Sequence, residues 1–261
     1  MQRLPWYVDS VDVPASFGLV LFLAFLVESA VGFGSALVTV SLGGHLMPLD
    51  RLFPVFQPLS LILSLTLVVR GRAHINFRFL FREVLPAMFP GVVVGMALFR
   101  LGRPEALLLG VGVAIAVLAS FELQRTLRGQ DTVPLPGPVR STVLLLAGVV
   151  HGLFGTSGPP VVWVATRTLP DKAEFRATLA LLWLLLSIVL VGGYVVDGSL
   201  RLPQLQQSAL LGVPLVLGFV VGNLLHLHVP QRAFRLAVCV LLVVAGVALV
   251  VRAAPHSLGV G

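Results

Sequence analysis

Residues 28–35, with the sequence Glu-Ser-Ala-Val-Gly-Phe-Gly-Ser, interrupt an apolar run that extends from residue 16 to residue 47. Residues 151–160, with the sequence His-Gly-Leu-Phe-Gly-Thr-Ser-Gly-Pro-Pro, interrupt a second apolar run at 141–169. Glycine and proline at this density break a helix and leave backbone N–H and C=O groups without partners. In lipid such groups are tolerated only where they are buried in protein or line a wet cavity. The two stretches therefore predict broken helices inside a membrane protein.

The composition of the whole chain supports this prediction. Of its 261 residues, 57% are hydrophobic and 11% are charged, whereas a soluble domain carries about 25% charged residues. A bilayer core of about 30 Å needs about 20 helical residues. Six further apolar runs approach that length, at 52–69, 79–99, 105–121, 176–196, 207–225 and 233–251. We predict an all-α, multi-pass protein of the cell (plasma or inner) membrane, with the lipid bilayer as its solvent.

The order of motifs along the chain indicates an internal repeat. Four pairs match in the same order: Phe33-Gly34-Ser35 with Phe154-Gly155-Thr156, Met47-Pro48 with Leu169-Pro170, Gly91-x-x-x-Gly95 with Gly218-x-x-x-Gly222, and Pro104 with Pro230. The two Gly-x-x-x-Gly pairs also favour close helix packing, which is compatible with a repeat. We predict two membrane repeats, 1–131 and 132–261, that together form one domain.

The distribution of charge predicts that the two repeats are inverted. The loop 70–82 carries four arginines and should be cytoplasmic, whereas its counterpart at 197–206 carries only Asp197 and Arg201 and should lie outside. Inversion requires an odd number of crossings per repeat. A repeat of three transmembrane helices plus one broken, re-entrant helical hairpin has this odd number of crossings. This topology places 12 of the 18 basic residues inside and the N-terminus outside. The net charge of +7 then reflects this cytoplasmic arginine and not a nucleic-acid partner.

The broken segments are the predicted substrate site. A break near the middle of the membrane exposes half-helix N-termini, whose N–H groups favour an anion. Transporters with paired broken helices hold their substrate at the interface between repeats. The alternative is that the glycines only permit tight packing. The candidate substrate-binding residues are Gly34, Ser35, Gly155, Thr156, Ser157, Gly158 and Arg176, with Gln57 and Asn223 as lesser lining candidates.

Two titratable residues occupy nearly equivalent positions beside the breaks. Glu28 is the one carboxylate well inside an apolar run, and an intramembrane acid is a functional hypothesis by default. His151 occupies nearly the same place in the second repeat. Together they suggest a proton route, and the alternative is that both are neutral hydrogen-bonding groups that satisfy broken backbone. His226 and His228 end a span and are interpreted as interfacial.

The second broken segment resembles a known family. Residues 152–160, followed by Phe175-Arg176-Ala177-Thr178-Leu179, are similar to the second-repeat signature of the sulfite exporter TauE/SafE family, and residues 28–35 are the counterpart in the first repeat. The resemblance follows nearly the whole chain in segment order. It implies transport of small sulfur-containing or carboxylic anions, chiefly outward, so the expected partner is a small anionic substrate such as sulfite, sulfoacetate or a related organosulfonate.

Other protein classes compete with this interpretation. Gly155-Thr156-Ser157-Gly158 fits the G-x-S-G pattern of rhomboid-type intramembrane serine proteases, which need a histidine within reach of the serine. The duplicated break favours a transporter, and an anion channel is a further alternative. The sequence shows no Walker-type loop and no Cys/His ligand set, so we expect no cofactor, no metal and no enzymatic activity. It leaves the oligomeric state open, with a homodimer among the options.

Overall fold

The computed structural model describes residues 14–100, 105–130, 134–154, 158–196 and 198–257, and every regular element within these ranges is helical. The α-helices are α1 (Ala15–Val31), α2 (Ser35–Val38), α3 (Leu49–Gly71), α4 (Phe77–Phe79), α5 (Leu85–Arg100), α6 (Glu105–Leu127), α7 (Gly137–Phe154), α8 (Gly158–Thr168), α9 (Lys172–Val196), α10 (Leu202–Leu210), α11 (Gly212–His228) and α12 (Gln231–Ser257). Short π-helical turns follow α2 and α4, at Thr39–Gly43 and Leu80–Val84, and a 3₁₀ turn at Arg72–His74 follows α3.

Helices lie over all six predicted apolar runs. Three described segments are long and apolar enough to cross a membrane, at Arg51–His74, Lys172–Val196 and Gln231–Ala248, and the α10–α11 pair, bent by 44°, adds a fourth if it is one span. At 1.5 Å per residue, the 16 residues of α5 cover about 24 Å, less than a bilayer core. The all-helical fold is thus confirmed, with helices suited to a membrane, and the count of six spans stays a prediction.

The first predicted helix break is present in the structure, and the second falls on residues outside the described ranges. In the first, α1 ends at Val31 and α2 begins at Ser35. Gly32 and Gly34 adopt φ values of 95° and 110°, the left-handed region in which a residue without Cβ is favoured. In the second, α7 ends at Phe154 and α8 begins at Gly158, with 155–157 outside the described residues. Gly32 and Gly34 therefore break the first helix where the sequence predicted, and the second break stays a prediction.

Four helix pairs make up most of the packing, namely α1 with α11, α3 with α9, α5 with α7, and α6 with α12. Each pair joins one helix from 1–131 with one from 132–261. The described parts of the two predicted repeats therefore share one interior, because neither half pairs its long helices mainly within itself.

Glycines allow three of these pairs, α5–α7, α1–α11 and α6–α12, to approach backbone to backbone. A Cβ added to Gly91 would lie 2.1 Å from the Leu145 carbonyl oxygen of α7, and one added to Gly148 would lie 2.1 Å from the Met88 carbonyl oxygen of α5. In the α1–α11 pair, a Cβ on Gly222 would lie 2.4 Å from a backbone oxygen of α1. The predicted close packing at Gly91, Gly218 and Gly222 is confirmed by these contacts.

The helices α3 and α9 run in opposite directions. Gly71, the last residue of α3, lies against Ala177 near the start of α9. Just beyond α3, the Asn76 backbone N–H donates to Thr178 Oγ1 at 2.9 Å. Near the other end of α3, the Val55 carbonyl oxygen accepts a hydrogen bond from the Ser208 hydroxyl of α10 at 2.7 Å. The loops after α3 and after α9 therefore lie at opposite ends of this helix pair.

The helices α6 and α12 are also antiparallel. Ala116 in the middle of α6 lies against Gly246 late in α12. The Leu127 carbonyl oxygen at the end of α6 accepts from Arg232 Nη2 at 3.3 Å, at the start of α12. As the residue number rises along α6, the contacted residue number falls along α12.

Candidate functional site

Glu28 lies buried in the last turn of α1, directly before the first break, with 3% of its surface exposed. Its carboxylate accepts hydrogen bonds from the Ser35 hydroxyl at the start of α2 and, at 3.5 Å, from the Ser64 hydroxyl of α3. The glycine break allows α2 to turn back so that Ser35 reaches Glu28. The predicted substrate residue Ser35 and the predicted proton residue Glu28 therefore belong to one contact.

The open end of α1 is capped by side chains of the second half of the chain. A helix leaves its last four carbonyl groups without intrahelical partners. Three of the carbonyls at this break accept or share hydrogen bonds at 2.9 Å: Ser29 from Arg176 Nη1, Ala30 with His226 Nδ1, and Gly32 from Trp183 Nε1. The backbone freed by the first break is thus satisfied by protein. This explains how the break persists inside an apolar fold.

Arg176 is the cationic residue of this region. Its Nη1 also donates to Asn223 Oδ1 at 3.1 Å, so two predicted lining residues contact each other. Arg176 takes no part in the ion pairs of Glu83 with Arg140 and of Glu122 with Arg167, and no described carboxylate lies within ion-pair distance of it. Within the described residues the half-buried guanidinium therefore faces neutral oxygens and the negative end of the α1 dipole, without a carboxylate.

Gln57 lies on a buried polar face of α3. It shares this face with Ser60 and Ser64, at helical spacings of three and four residues, and all three side chains are buried. Since Ser64 contacts Glu28, the face points toward the first break. Gln57 thus has the position expected of a lining residue, and its contact with a substrate stays a prediction.

The second break is described only at its two ends. Gly155, Thr156 and Ser157 lie outside the described residues, so their predicted roles are untested. At Gly158 a Cβ would meet no described atom within 4 Å, so packing does not explain that glycine. His151, in the last turn of α7, has a buried Nδ1 without a hydrogen-bond partner in the described part of the chain.

The two breaks lie against a common apolar cluster. Phe33 from the first break and residues 161–165 of α8, directly after the second break, belong to the same buried hydrophobic cluster. The helix α9 also contributes, through Phe175 and Leu179. The predicted polar cavity between the breaks would have to lie beside this cluster, and it stays a prediction.

His226 corrects one interpretation from the sequence. Only 4% of its surface is exposed. Its ring contacts the Ala30 carbonyl and packs edge-on against Phe234, with centroids 5.8 Å apart. His228 is exposed, as predicted, and its Nδ1 contacts the Leu224 carbonyl of its own helix at 2.8 Å. The interfacial assignment is therefore wrong for His226, because α1 covers the end of α11.

Sequence reasoning missed a second buried carboxylate. Glu122, which follows the apolar run 105–121, is 3% exposed and pairs with Arg167 of α8. The Arg167 guanidinium also lies 4.6 Å from the Trp163 ring centroid. The one available signal was a lone acid one residue beyond an apolar run. Its partner lies 45 residues away in sequence, so periodicity could not reveal the pair.

Trp183 and Ser64 were also missed. Each is one of a few polar groups in a long apolar helix, and such residues are common in membrane spans. Their importance becomes visible only when Trp183 meets the Gly32 carbonyl and Ser64 meets Glu28.

A helical protein with several long apolar helices and a helix interrupted beside a buried carboxylate has the features of a membrane transporter. The chain belongs to the sulfite exporter TauE/SafE family, whose model matches residues 17–249. It is 30% identical over 184 residues to the probable inner membrane transporter protein TsaS of Comamonas testosteroni, and the alignment covers 67% of this chain and 74% of that protein. No solved structure matches the chain significantly. The family predicted from the sequence is therefore confirmed, and the protein is a multi-pass membrane transporter.

Proposed function

We propose that this transporter exports small sulfur-containing anions, such as sulfite, sulfoacetate or related organosulfonates, by secondary transport. The observation that carries the proposal is Arg176, a half-buried guanidinium beside the first break without a carboxylate partner among the described residues. Arginine presents several N–H donors in a planar fork that matches an oxyanion. The family's description as sulfite exporters supports the choice of substrate class.

The transport pathway lies, in this proposal, at the interface of two inverted repeats. In this arrangement the helices α1, α3, α5 and α6 of the first repeat correspond, in that order, to α7, α9, α11 and α12 of the second. The two-fold axis that relates the repeats then exchanges the α1–α11 pair with the α7–α5 pair. It also maps the α3–α9 and α6–α12 pairs onto themselves. The observed pairs have this pattern. The antiparallel direction of α3 and α9, and of α6 and α12, supports inversion, since equivalent helices of inverted repeats cross the membrane in opposite directions.

The broken segments, α1–α2 and α7–α8, would act as re-entrant hairpins that present Gly34, Gly155 and Gly158 to the substrate. Thr156 and Ser157 would add hydroxyl donors beside Arg176, and the Ser35 hydroxyl would have to exchange its bond to Glu28 for one to the anion. Glu28 and His151 would make the rate of transport depend on pH. The buried carboxylate with its two hydroxyl partners supports a titrating role for Glu28.

A flux assay tests the role of Arg176. Purified protein in liposomes loaded with sulfite, sulfoacetate or acetate should release the sulfur anions under an imposed membrane potential. We expect Arg176→Gln to reduce the initial rate at least about tenfold, the factor that corresponds to loss of a charge-assisted hydrogen bond of about 1.5 kcal/mol. Arg201→Gln is the matched control, because Arg201 is exposed and bonds within its own turn, to the Gly198 carbonyl.

Thermal unfolding in detergent separates function from folding, since Arg176 also caps α1. Arg176→Lys keeps the charge and should retain an intermediate rate. If folded Arg176→Gln protein releases sulfite at the wild-type rate, the anion contact is wrong. If none of the loaded anions leaves wild-type liposomes, the substrate class is wrong.

A further inference from the structure

A cleft opens between the start of α7 and the segment that joins α4 to α5. It has a volume of about 450 Å³ and is lined by Arg82, Glu83, Pro86, Ala87, Arg140, Ser141 and Leu144. None of these residues belongs to the site around Glu28 and Arg176. The cleft is therefore a separate feature of the surface.

The charged groups of the cleft leave a net positive charge. Arg140 Nε lies 3.0 Å from the Glu83 carboxylate, and both side chains are 29% exposed. Arg82 is exposed and has no ion pair or hydrogen bond within the described ranges. Glu83 therefore neutralises Arg140, and Arg82 keeps a positive charge that is available to bind an anion. The Ser141 hydroxyl adds a donor at the rim.

The surface below these charges is apolar. Phe89 of α5 is 72% exposed, one turn beyond Pro86, and Leu145 of α7 is 39% exposed, one turn beyond Ser141. Phe81 is half exposed and stacks on Phe77 at the rim. In a membrane protein, exposed apolar helix faces contact acyl chains, so the cleft lies where a charged layer meets an apolar one.

The cleft lies at the basic end of the molecule. The ion pair of Glu83 and Arg140 brings the loop 70–82 next to the loop before α7. Asn76 Nδ2 donates to Glu174 Oε1 at 2.7 Å, which brings the start of α9 to the same end. Basic segments concentrate on the cytoplasmic face, where anionic lipids give the leaflet a negative surface potential.

We propose that this cleft binds the phosphate group of an anionic phospholipid, with the acyl chains along Phe89 and Leu145. Arg82 supplies the unpaired charge, and Ser141 a hydrogen bond to a phosphate oxygen. Arg140 neutralises the charge of Glu83 through their ion pair. A free anion such as phosphate or sulfite would use the same donors but would gain nothing from the apolar faces, so the lipid is the favoured occupant.

A competition assay in neutral detergent tests this proposal. Phosphatidylglycerol with a fluorescent acyl chain is titrated into purified protein and displaced with unlabelled dioleoyl phosphatidylglycerol, dioleoyl phosphatidylcholine or inorganic phosphate. We expect phosphatidylglycerol to displace the probe and the other two to be at least tenfold weaker. Arg82→Gln should raise the dissociation constant about fivefold, the factor for about 1 kcal/mol per arginine at an anionic lipid.

Two further variants make the test specific. Glu83→Gln removes the one negative charge of the cleft and should tighten binding several-fold, whereas Arg201→Gln, at the other end of α9, should leave it unchanged. Equal displacement by phosphatidylcholine, or wild-type binding by Arg82→Gln, would overturn the proposal. Displacement by inorganic phosphate at the lipid's own concentration would overturn the lipid assignment in favour of a free-anion site.

Discussion

At the scale of single residues, Glu28 combines burial with two hydroxyl partners. Ser35 reaches it across the break and Ser64 from α3. An anion that leaves the cell already moves down the membrane potential, at about 2.3 kcal/mol per charge per 100 mV. A proton on Glu28 therefore need not drive export. Its role would be to neutralise the substrate or to reset the empty carrier.

We accordingly expect Glu28→Gln to flatten the dependence of the flux on pH. Glutamine keeps the shape, accepts from one serine hydroxyl through its carbonyl oxygen and donates to the other through its NH2 group, but does not titrate. The dissociation constant for the anion should stay within a few-fold of wild type. Initial sulfite flux in liposomes between about pH 5.5 and 8 measures this, a range that brackets the ordinary titration of histidine.

His151→Gln provides a second test, because the sequence places His151 at nearly the position of Glu28 in the predicted second repeat. If the two groups are coupled, it should shift the same pH profile. An unchanged pH profile in Glu28→Gln, together with a loss of folded protein, would instead assign Glu28 to a structural hydrogen bond.

The sequence was informative where a residue type is unusual for its surroundings. A carboxylate in an apolar run and a Phe-Gly-Ser break both indicated the first site, and the structure brings Glu28 and Ser35 into contact. The cap of α1 was not predictable, because Arg176 and Trp183 lie 147 and 151 residues from the carbonyls they bind. Such contacts depend on the tertiary arrangement, which local patterns do not contain.

At the scale of elements, glycine sets how closely the helices cross. The repeated Gly-x-x-x-Gly pattern predicted such crossings, and Gly91 and Gly222 occupy them. Gly148, on the facing helix α7, was not singled out, although it forms a further Gly-x-x-x-Gly pair with Gly152. The π-helical turns Thr39–Gly43 and Leu80–Val84 also had no clear signal, because they adjust the register of a helix without requiring a breaker residue.

We expect Gly91→Ala to destabilise the protein. The new methyl group would clash with the Leu145 carbonyl oxygen, and overpacking of this kind costs about 1–3 kcal/mol. The apparent melting temperature in detergent, from the fluorescence of a size-exclusion peak after heating, should fall measurably.

Gly192→Ala is the matched control for that change. Gly192 lies inside α9, where an added Cβ would meet no described atom within 4 Å. Alanine is favoured over glycine in a helix by about 0.5–1 kcal/mol, so this variant should be as stable as wild type or more so. Equal melting temperatures for the two variants would contradict the close crossing of α5 and α7.

At the scale of the whole molecule, the loops that follow α3 and α9 are separated by most of a membrane thickness. Val55 and Gly71 mark the two ends, and the 16 residue steps between them correspond to about 24 Å of helix. The arginine count predicts that these two loops face opposite sides of the membrane, and that orientation stays a prediction. What charge alone could not supply was the pairing of helices, which depends on the shapes of the facing surfaces.

Cysteine labelling in intact cells tests the resulting orientation. The background is Cys239→Ala, since Cys239 is the one cysteine of the chain and is buried. A cysteine at Leu202, which is 67% exposed, should react with a membrane-impermeant maleimide from outside. A cysteine at His74 should react only after the membrane is opened.

Detergent-solubilised protein is the control, because both sites should label equally there. Reaction of both cysteines from the same side in intact cells would contradict the inverted arrangement. Reaction of His74 from outside and Leu202 from inside would reverse the orientation while keeping the inversion.

The cap on α1 has a consequence for the order in which the protein is made. The carbonyls of Ser29, Ala30 and Gly32 find their partners on α9 and α11, which leave the ribosome long after α1 has entered the membrane. Until then the nascent first half holds unsatisfied backbone at a depth where each such group costs several kcal/mol. The first half should therefore be degraded when synthesised alone, and rescued when the second half is supplied as a separate chain.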